Sequence, residues 1–375
     1  MMRHLAGQRR HRPARHRHAQ ARRPPPAWLP LLLAGAISLA TGGALAAGYP
    51  NTSNFGRPPD KAAPWYRQCM KARDAQSPRR DIRPPKAADC EDLNETLDLY
   101  YDTLGDSRSG AGKANWPEVV ACAHAQRNET ALMMLYANGF GVARNIPLAI
   151  RYACSIGGAE AEVTGRVEHL AALSPKEAFD VCDDVTSGLM QGFCAAVAER
   201  QSDRDRTRRL ARLLRNMPAA QQPAFDRLEK AAEAFAQARG ELETDAMGTA
   251  RAAMAIAASG TESDLFVQDL ERFEKGDLPR FTKAQFDQLD RALNQVFRKI
   301  MQAKTAAGGD TLGFSTIGKA DVRSAQKLWL KYRDAWVAFG RLRYPAVEPH
   351  GWMALLTERR VAQLTEMLED YGEAE

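Results

Sequence analysis

The 375-residue sequence predicts an all-α protein whose first half is cross-linked by disulfide bonds. Three observations lead to this prediction. From Cys90 onward, apolar residues recur at helical spacing, and the alternation typical of strands is nearly absent. Six cysteines, an even number, all lie between Cys69 and Cys194. The N-terminus has the features of an export signal, which places the mature chain in an oxidising compartment.

The first 46 residues are predicted to be a cleaved signal peptide. Residues 1–27 hold eight arginines and no acid, and an apolar run from Trp28 to Ala40 follows. Ala44-Leu45-Ala46 then supplies the small residues that signal peptidase requires, so cleavage is expected near Ala46. The apolar run is short and interrupted by glycine, which disfavours the alternative of an uncleaved membrane anchor. We expect a periplasmic or secreted product with no stable membrane insertion.

The positive charge of the chain lies in this signal. The formal net charge is +6, and removing the eight signal arginines leaves −2 for the remaining residues. The basic character that would support nucleic-acid binding therefore disappears, and no nucleic-acid partner is predicted. Only His124, His169 and His350 lie beyond the signal, and their spacing matches no metal site. No metal or cofactor is predicted.

The six cysteines allow many disulfide connectivities, so the sequence does not fix the pairing. Cys90–Cys122 is the favoured pair, because in a helical hairpin over residues 90–126 Cys90 would open the first helix and Cys122 would close the second. Cys182–Cys194 and Cys69–Cys154 are a working assignment for the other four. No Cys-x-x-Cys pair is present to support a redox or zinc motif, and buried free thiols are the alternative.

The mature chain divides into four predicted regions. Residues 47–89 are rich in Pro, Gly and charge, which predicts an extended surface arm without regular structure, attached through Cys69 and Trp65. The other three regions are predicted to be helical. They are a repeat array over 90–198, a connecting region over 199–279 and a C-terminal domain over 280–372.

Three short motifs predict where helices begin. Asn145-Ile146-Pro147 places proline in a first helical turn. Ser174-Pro175-Lys176-Glu177 combines an N-cap serine, a first-turn proline and a capping-box glutamate. Thr282 and Gln285 form a second capping box, flanked by a hydrophobic staple of Phe281 and Phe286. The helix that follows is expected to run through Ile300.

A helical hairpin with a glycine-rich turn is predicted within residues 131–162. Leu135-Tyr136-Ala137-Asn138-Gly139-Phe140-Gly141-Val142 precedes Asn145 and Ala149-Ile150-Arg151-Tyr152-Ala153. This segment resembles the Sel-one-like repeat, a relative of the tetratricopeptide repeat. Residues 90–126 resemble a degenerate copy, and Phe179–Cys182 would end a third. The resemblance implies a disulfide-supported, protein-binding helix–turn–helix array with no chemistry of its own.

The C-terminal region carries the most distinctive segments, Ala325–Asp334 and Leu356–Leu364. Together they resemble the LprI-like domain, a family named after a lysozyme inhibitor of bacterial envelopes. The residues that carry the resemblance are Gln326, Trp329, Tyr332, Arg333, Asp334, Glu358 and Arg359. The resemblance implies a helical domain whose helices are linked by a cysteine pair. Residues 280–372 contain no cysteine, so packing of Trp329, Trp336 and Trp352 is expected to replace that link. The aromatic stripe that includes Trp329 and Tyr332 predicts a core helix rather than an aromatic binding patch.

These patterns favour an exported protein-interaction protein, with lysozyme or another envelope protein as partner and no catalytic residues. Arg333 and Arg341 are expected to be exposed contact residues. Residues 281–375 hold 14 basic and 12 acidic residues, a charge of +2, which argues against long-range steering toward a basic lysozyme.

Two alternatives remain open. One is a peptidoglycan-acting envelope enzyme that uses paired carboxylates, Glu241 with Glu243 or Asp183 with Asp184. No Gly-x-Ser-x-Gly elbow accompanies the histidines to support serine chemistry. The other alternative is a purely structural envelope component.

Overall fold

Helices form nearly all of the regular structure in the part of the chain that is described. The structure is a computed structural model that describes residues 48–85, 90, 93–110, 114–304 and 309–372. Within those ranges the one strand-like pairing is an isolated bridge between Thr311 and Gly318. The predicted all-α fold class is confirmed. The predicted signal peptide, residues 1–46, lies outside the described residues.

Twelve α-helices follow one another along the described ranges. Those of the first half are α1 (Pro64–Ala72), α2 (Leu93–Ser109), α3 (Trp116–Ala125), α4 (Glu129–Asn138), α5 (Ile146–Ser155) and α6 (Glu160–Ala172). Those of the second half are α7 (Gly188–Leu214), α8 (Gln222–Leu242), α9 (Arg251–Glu274), α10 (Lys283–Gln302), α11 (Lys319–Arg343) and α12 (Pro349–Tyr371). No helix of the described chain is long and apolar enough to cross a bilayer.

The helices of the first half pack mainly on their neighbours in sequence around one hydrophobic cluster. The turn between α4 and α5 has the predicted form, with Gly139 at φ +72° in the left-handed region. Asn145 caps α5, because its Oδ1 accepts a hydrogen bond from the backbone N of Leu148 at 3.1 Å. The helix–turn–helix geometry is therefore present, and its membership of the Sel-one-like family stays a prediction.

Three disulfides cross-link this half of the chain and attach it to α7. Cys69–Cys154 joins α1 to α5, with 5.7 Å between the Cα atoms. Cys90–Cys122 joins Cys90, three residues before the start of α2, to the last turn of α3. Cys182–Cys194 joins a short 3-10 turn (Val181–Asp184) to α7. These are the three pairs assigned from the sequence.

The absence of regular structure predicted for residues 47–89 is wrong for part of this segment. The segment contains α1 and a 3-10 turn at Arg79–Asp81. Pro64 stands at the start of α1, where its missing N–H has no intrahelical partner to lose. Trp65, Cys69 and Ala72 then bury one helical face. The anchoring through Trp65 and Cys69 is as expected, since Trp65 is 3% exposed and Cys69 is fully buried.

The helix predicted to begin at Ser174 does not form. Glu177 Oε2 accepts weakly from the Ser174 backbone N at 3.4 Å, but only a turn follows. The amide of Asn138 holds the chain beyond it in a non-helical path: Phe179 N donates to Asn138 Oδ1 at 2.7 Å, and Asn138 Nδ2 donates to Phe179 O at 2.8 Å. The segment expected to end a third repeat is thus extended up to Asp180 and enters the 3-10 turn.

The second half forms a bundle around a separate hydrophobic cluster, which extends from Ala224 to Met367. In this bundle α7 packs on α9, α8 packs on α9 and α11, and α12 packs on α10 and α11. The capping box predicted for α10 is confirmed: the backbone N of Thr282 donates to Gln285 Oε1 at 2.7 Å, and Gln285 N donates to Thr282 Oγ1 at 3.2 Å.

Candidate functional site

The aromatic stripe of α11 forms the centre of the second core. Trp329, Tyr332 and Trp336 are each at most 5% exposed. Trp336 stacks on Trp352 of α12, with ring centroids 5.7 Å apart and planes 8° from parallel. Tyr332 stacks on Phe235 of α8 at 5.8 Å. The interpretation of this stripe as core is therefore correct, and tryptophan packing occupies the centre of a domain that has no disulfide in its described residues.

A buried charge cluster lies beside this aromatic core. The Arg360 cluster consists of Arg239, Glu243, Glu262 and Arg360. The side chains of Arg360 and Glu243 are both fully buried, and Arg360 Nη1 donates to Glu243 Oε2 at 2.8 Å. Arg239 Nη1 donates to the same oxygen at 2.9 Å. Sequence reasoning missed this pairing because residues 243 and 360 are separated by 117 positions and share no local motif.

Burial and the neighbouring guanidinium groups have opposite effects on the pKa values of the two carboxyl groups in the cluster. Burial alone would raise the pKa of Glu243, but the charges and hydrogen bonds of Arg360 and Arg239 outweigh it and hold that pKa below its ordinary value. Glu262 also faces these arginines, yet burial dominates there and raises its pKa. Arg360 Nε donates to Gln326 Oε1 at 2.8 Å, so the motif residue Gln326 completes the cluster.

The remaining motif residues are also mainly structural. Arg359 Nη2 donates to Asp269 Oδ1 at 2.7 Å and joins α12 to α9. Arg333 lies over the Trp329 ring at 5.2 Å and bonds Asp334 at 3.0 Å. The Arg333 side chain is only 16% exposed, so the prediction that it is an exposed contact residue is wrong. Stacking on Trp329 covers it.

Several side chains of these segments and of the rest of α11 are exposed, among them Lys327, Leu330 and Lys331. Asp334, Arg341 and Glu358 are exposed, while Gln326 and Arg359 contact the interior of the bundle. The LprI-like motif therefore specifies how the helices pack. Of the motif residues, Asp334 and Glu358 are the ones left exposed for a binding surface, so residues outside the motif are considered as well.

The Phe314 loop, residues 310–318, is the most prominent such surface. Phe314 is 74% exposed, although the residues around it are fixed. Leu312 N donates to Ile317 O at 2.9 Å, and Ser315 Oγ donates to Leu312 O at 2.7 Å. Gly313 has φ +49°, and a Cβ there would lie 2.6 Å from Tyr371 O, so the loop packs closely on the end of α12. The loop holds an aromatic ring in solvent on a hydrogen-bonded turn.

The loop that connects α8 to α9 forms hydrogen bonds with the Phe314 loop. Asp245 Oδ1 accepts from Thr316 N at 3.0 Å and from Thr316 Oγ1 at 2.9 Å. Ala246 N donates to Thr316 Oγ1 at 2.7 Å. Met247, beside this contact, is 56% exposed and adds a second apolar side chain. The sequence signal that could have identified the Phe314 loop is a lone phenylalanine among Gly, Ser and Thr in residues 313–316.

Acidic groups surround this end of the bundle. Tyr371 has a raised pKa, first because of burial and then because Asp245, Asp370 and Glu366 face it. Burial opposes ionisation of Asp245, but hydrogen bonds from Thr316 and Met247 outweigh it and lower its pKa, so the carboxylate is charged at neutral pH. Lys319, at the end of the loop, donates to Ala303 O at 2.7 Å. An exposed aromatic ring on an acidic surface suits a basic protein partner.

In the described chain, the carboxylate pairs considered for catalysis lie in two separate regions, Asp183 and Asp184 in the 3-10 turn before α7 and Glu241 and Glu243 at the end of α8. Glu243 is buried against two arginines, whereas Glu241 is exposed and bonds Gln237, so this pair does not face one substrate. His169 Nδ1 lies 2.9 Å from Asp184 Oδ2, and His124 Nε2 lies 3.3 Å from the Tyr136 hydroxyl. Among the hydrogen bonds of the described residues, neither histidine contacts a serine hydroxyl.

One three-residue group in the described chain has metal-ligand proximity. It comprises Cys90, Glu118 and Cys122. The two sulfur atoms are bonded to each other and are therefore not thiolates that bind a metal.

Comparison with known proteins finds one similarity. Residues 274–364, about a quarter of the chain, match a family model described as "Lysozyme inhibitor LprI". The matched segment begins at the end of α9 and ends within α12, so it includes both distinctive segments and the Phe314 loop. Comparisons with curated proteins and with solved structures give no significant match.

Proposed function

We propose that the mature chain is an exported protein-binding protein whose C-terminal bundle inhibits a lysozyme. The match of residues 274–364 to the family described as "Lysozyme inhibitor LprI" supports this class of partner. The three disulfides support an oxidising compartment. The single observation that carries the binding proposal is Phe314, an aromatic side chain 74% exposed on a loop fixed by hydrogen bonds.

Phe314 has the properties of an interface anchor. Aromatic residues are enriched at the energetic centres of protein interfaces, and a fixed loop loses little conformational entropy on binding. The domain has a charge of +2 over residues 281–375, so the acidic groups near Tyr371 act locally rather than at long range. Docking against a basic lysozyme would thus depend on contact at this end of the bundle.

The proposal predicts that Phe314→Ala weakens binding to lysozyme by about 2 kcal/mol or more, the usual effect of removing an interface hot spot. The thermal midpoint should stay unchanged, because the ring is 74% exposed in the free protein. Titration of the mature protein against lysozyme, by calorimetry and in a cell-wall lysis assay, measures binding and inhibition, and thermal denaturation measures the midpoint. Leu189→Ala is the matched control, since Leu189 is also 74% exposed but lies on α7.

The possible results test separately whether lysozyme is the partner and whether the Phe314 loop is the surface that binds it. No heat of binding and no inhibition by the unmutated protein would remove lysozyme as the partner. Inhibition that is equal for the unmutated protein and Phe314→Ala would retain lysozyme and reject the Phe314 loop. Hydrolysis of peptidoglycan by the protein alone, lost on changing one carboxylate, would replace the inhibitor proposal with an enzyme.

The export part of the proposal predicts a processed N-terminus. Mass spectrometry of the protein from a periplasmic extract should find a chain that starts close to Ala47, because Ala44-Leu45-Ala46 has the composition of a cleavage site. A full-length chain retained in the membrane pellet would contradict this expectation.

A further inference from the structure

A cleft of about 400 Å³ lies between the first half of the protein and the first turns of α7, outside residues 274–364 that match the LprI family model. It lies between α2, the end of α4, the segment 178–183 and α7. Its volume falls within the range of sites that bind small molecules, about 300–1,000 Å³. Nothing in the proposed lysozyme binding uses it.

The walls of the cleft are aromatic and well anchored. Tyr100, Tyr101 and Phe179 line it, and each is at most 3% exposed. Phe140 completes this side and stacks on Trp116 with 4.5 Å between ring centroids. The Cys182–Cys194 disulfide also lines the cleft. These contacts give the cleft a preformed aromatic wall.

One side of the cleft carries two carboxylates. Asp180 Oδ1 accepts from the Tyr101 hydroxyl at 2.7 Å and from Cys182 N at 2.9 Å. Asp183 Oδ2 accepts from Asp180 N at 3.1 Å. Neither carboxylate forms a salt bridge within the described ranges, although burial raises the pKa of Asp183, and His169, which faces it, lowers that pKa. An ammonium group of a ligand would complete this side.

The cleft also carries groups that suit a carboxylate. Arg108 lines it with an exposed side chain. The Tyr100 hydroxyl, 1% exposed, accepts from Asn138 Nδ2 at 3.1 Å and donates its own proton to no described residue. Burial raises the pKa of Tyr100, which Asp180 raises further and Arg108 lowers, so charges of both signs face this hydroxyl. A buried donor beside a cation is a suitable site for an anionic group.

We propose that this cleft binds a short zwitterionic peptide, with its ammonium group at Asp180 and Asp183 and its carboxylate at Arg108 and the Tyr100 hydroxyl. Its apolar side chains lie against Tyr101, Phe140 and Phe179. The opposite charges on the lining select a ligand that carries both, and the aromatic walls select apolar side chains. The site is independent of the lysozyme proposal.

Calorimetry of the mature protein with the dipeptide leucyl-leucine tests the inference. The probe is used in three forms: with both termini free, N-acetylated, and as the C-terminal amide. We expect binding of the free dipeptide and a loss of roughly tenfold or more for each blocked form, the effect of one charge-assisted hydrogen bond. Asp183→Asn should lower the affinity for the free and the amidated dipeptide, which both carry an ammonium group. It should leave the affinity for the acetylated dipeptide unchanged. Arg108→Gln should lower the affinity for the free and the acetylated dipeptide, which both carry a carboxylate. It should leave the affinity for the C-terminal amide unchanged.

Two exposed charges outside the cleft provide matched controls. Asp74→Asn and Arg73→Gln change the same charges on the same half of the protein and should leave all three affinities unchanged. Circular dichroism checks that each variant is folded, and in Asp183→Asn the amide oxygen of the new side chain can still accept the hydrogen bond from Asp180 N. No binding of the free dipeptide at millimolar concentration would overturn the inference. Losses that do not depend on which terminus is blocked would also overturn it.

Discussion

Replacing Arg360 with methionine is expected to lower the free energy of unfolding by about 3–5 kcal/mol, the usual effect of breaking a buried ion pair. Both side chains of the Arg360–Glu243 pair are fully buried. Methionine fills much of the volume of the arginine stem but leaves the Glu243 carboxylate with only Arg239 as a cationic partner. Urea denaturation followed by circular dichroism measures the loss.

Two further variants test whether the loss of stability in Arg360→Met comes from the unpaired charge of Glu243 or from lost packing. Arg341→Met removes an exposed arginine from α11 and should change stability by less than about 0.5 kcal/mol. Combining Arg360→Met with Glu243→Gln removes the uncompensated charge, so part of the loss should be recovered. A loss in Arg360→Met no larger than in Arg341→Met would show that the buried pair does not hold the bundle together.

The pH dependence of Arg360→Met should also change. In the unmutated protein the pKa of Glu243 is lowered, so its contribution to stability is present above its ordinary pKa of 4.5 and is lost as pH falls through the lower folded value. Without Arg360, burial is expected to raise that pKa, and protonation then stabilises the fold. The difference between the two proteins should therefore narrow as pH falls. It narrows first above about pH 4.5, as Glu243 is protonated in Arg360→Met, and then below about pH 4.5, as Glu243 is protonated in the unmutated protein.

Local signals predicted the helices well. The capping box at Thr282 and the first-turn proline at Pro147 depend on residues within one helical turn, and both were placed correctly. The hairpin argument for Cys90–Cys122 succeeded because it used the ends of two consecutive helices. The Ser174 signal failed because an asparagine 41 positions away from Phe179 competes for the backbone.

The candidate sites were harder to predict because they depend on distant contacts. Glu243 was considered as a partner of Glu241 on sequence proximity, yet its partner is Arg360 on another helix. Arg333 was expected to be exposed because arginine usually is, but Trp329 covers it. Phe314 had no helical pattern to indicate its role. Its exposure depends on hydrogen bonds to Asp245, in a loop about 70 residues earlier.

In the proposed inhibitor, the residues that pack the bundle are different from the apolar residues exposed on its loops. Motif residues Gln326, Trp329 and Arg359 contact other helices of the bundle, whereas Phe314 and Met247 lie on loops. Substitutions in these loops can therefore change which protein is bound without disturbing the core of the bundle. The matched residues 274–364 include these packing residues and the Phe314 loop.

Introducing a side chain at Gly340 is expected to destabilise the bundle, although glycine is normally unfavourable inside a helix. Gly340 lies within α11, and a Cβ there would be 2.5 Å from the Cε2 and Nε1 atoms of Trp352. Trp352 is 1% exposed and stacks on Trp336, so it has little room to move. We expect Gly340→Ala to lower the free energy of unfolding by about 1–3 kcal/mol, and Gly340→Val by about 3 kcal/mol or more.

The same change at Gly105 provides a control of opposite sign. Gly105 also lies within a helix, α2, but the atom nearest to a Cβ there is the end of the flexible Arg204 side chain, at 3.7 Å. Gly105→Ala should therefore stabilise the protein by about 0.5–1 kcal/mol through helix propensity alone. Thermal and urea denaturation of both alanine variants measure the two effects. Stabilisation by Gly340→Ala similar to that by Gly105→Ala would mean that Trp352 does not pack against the backbone of α11.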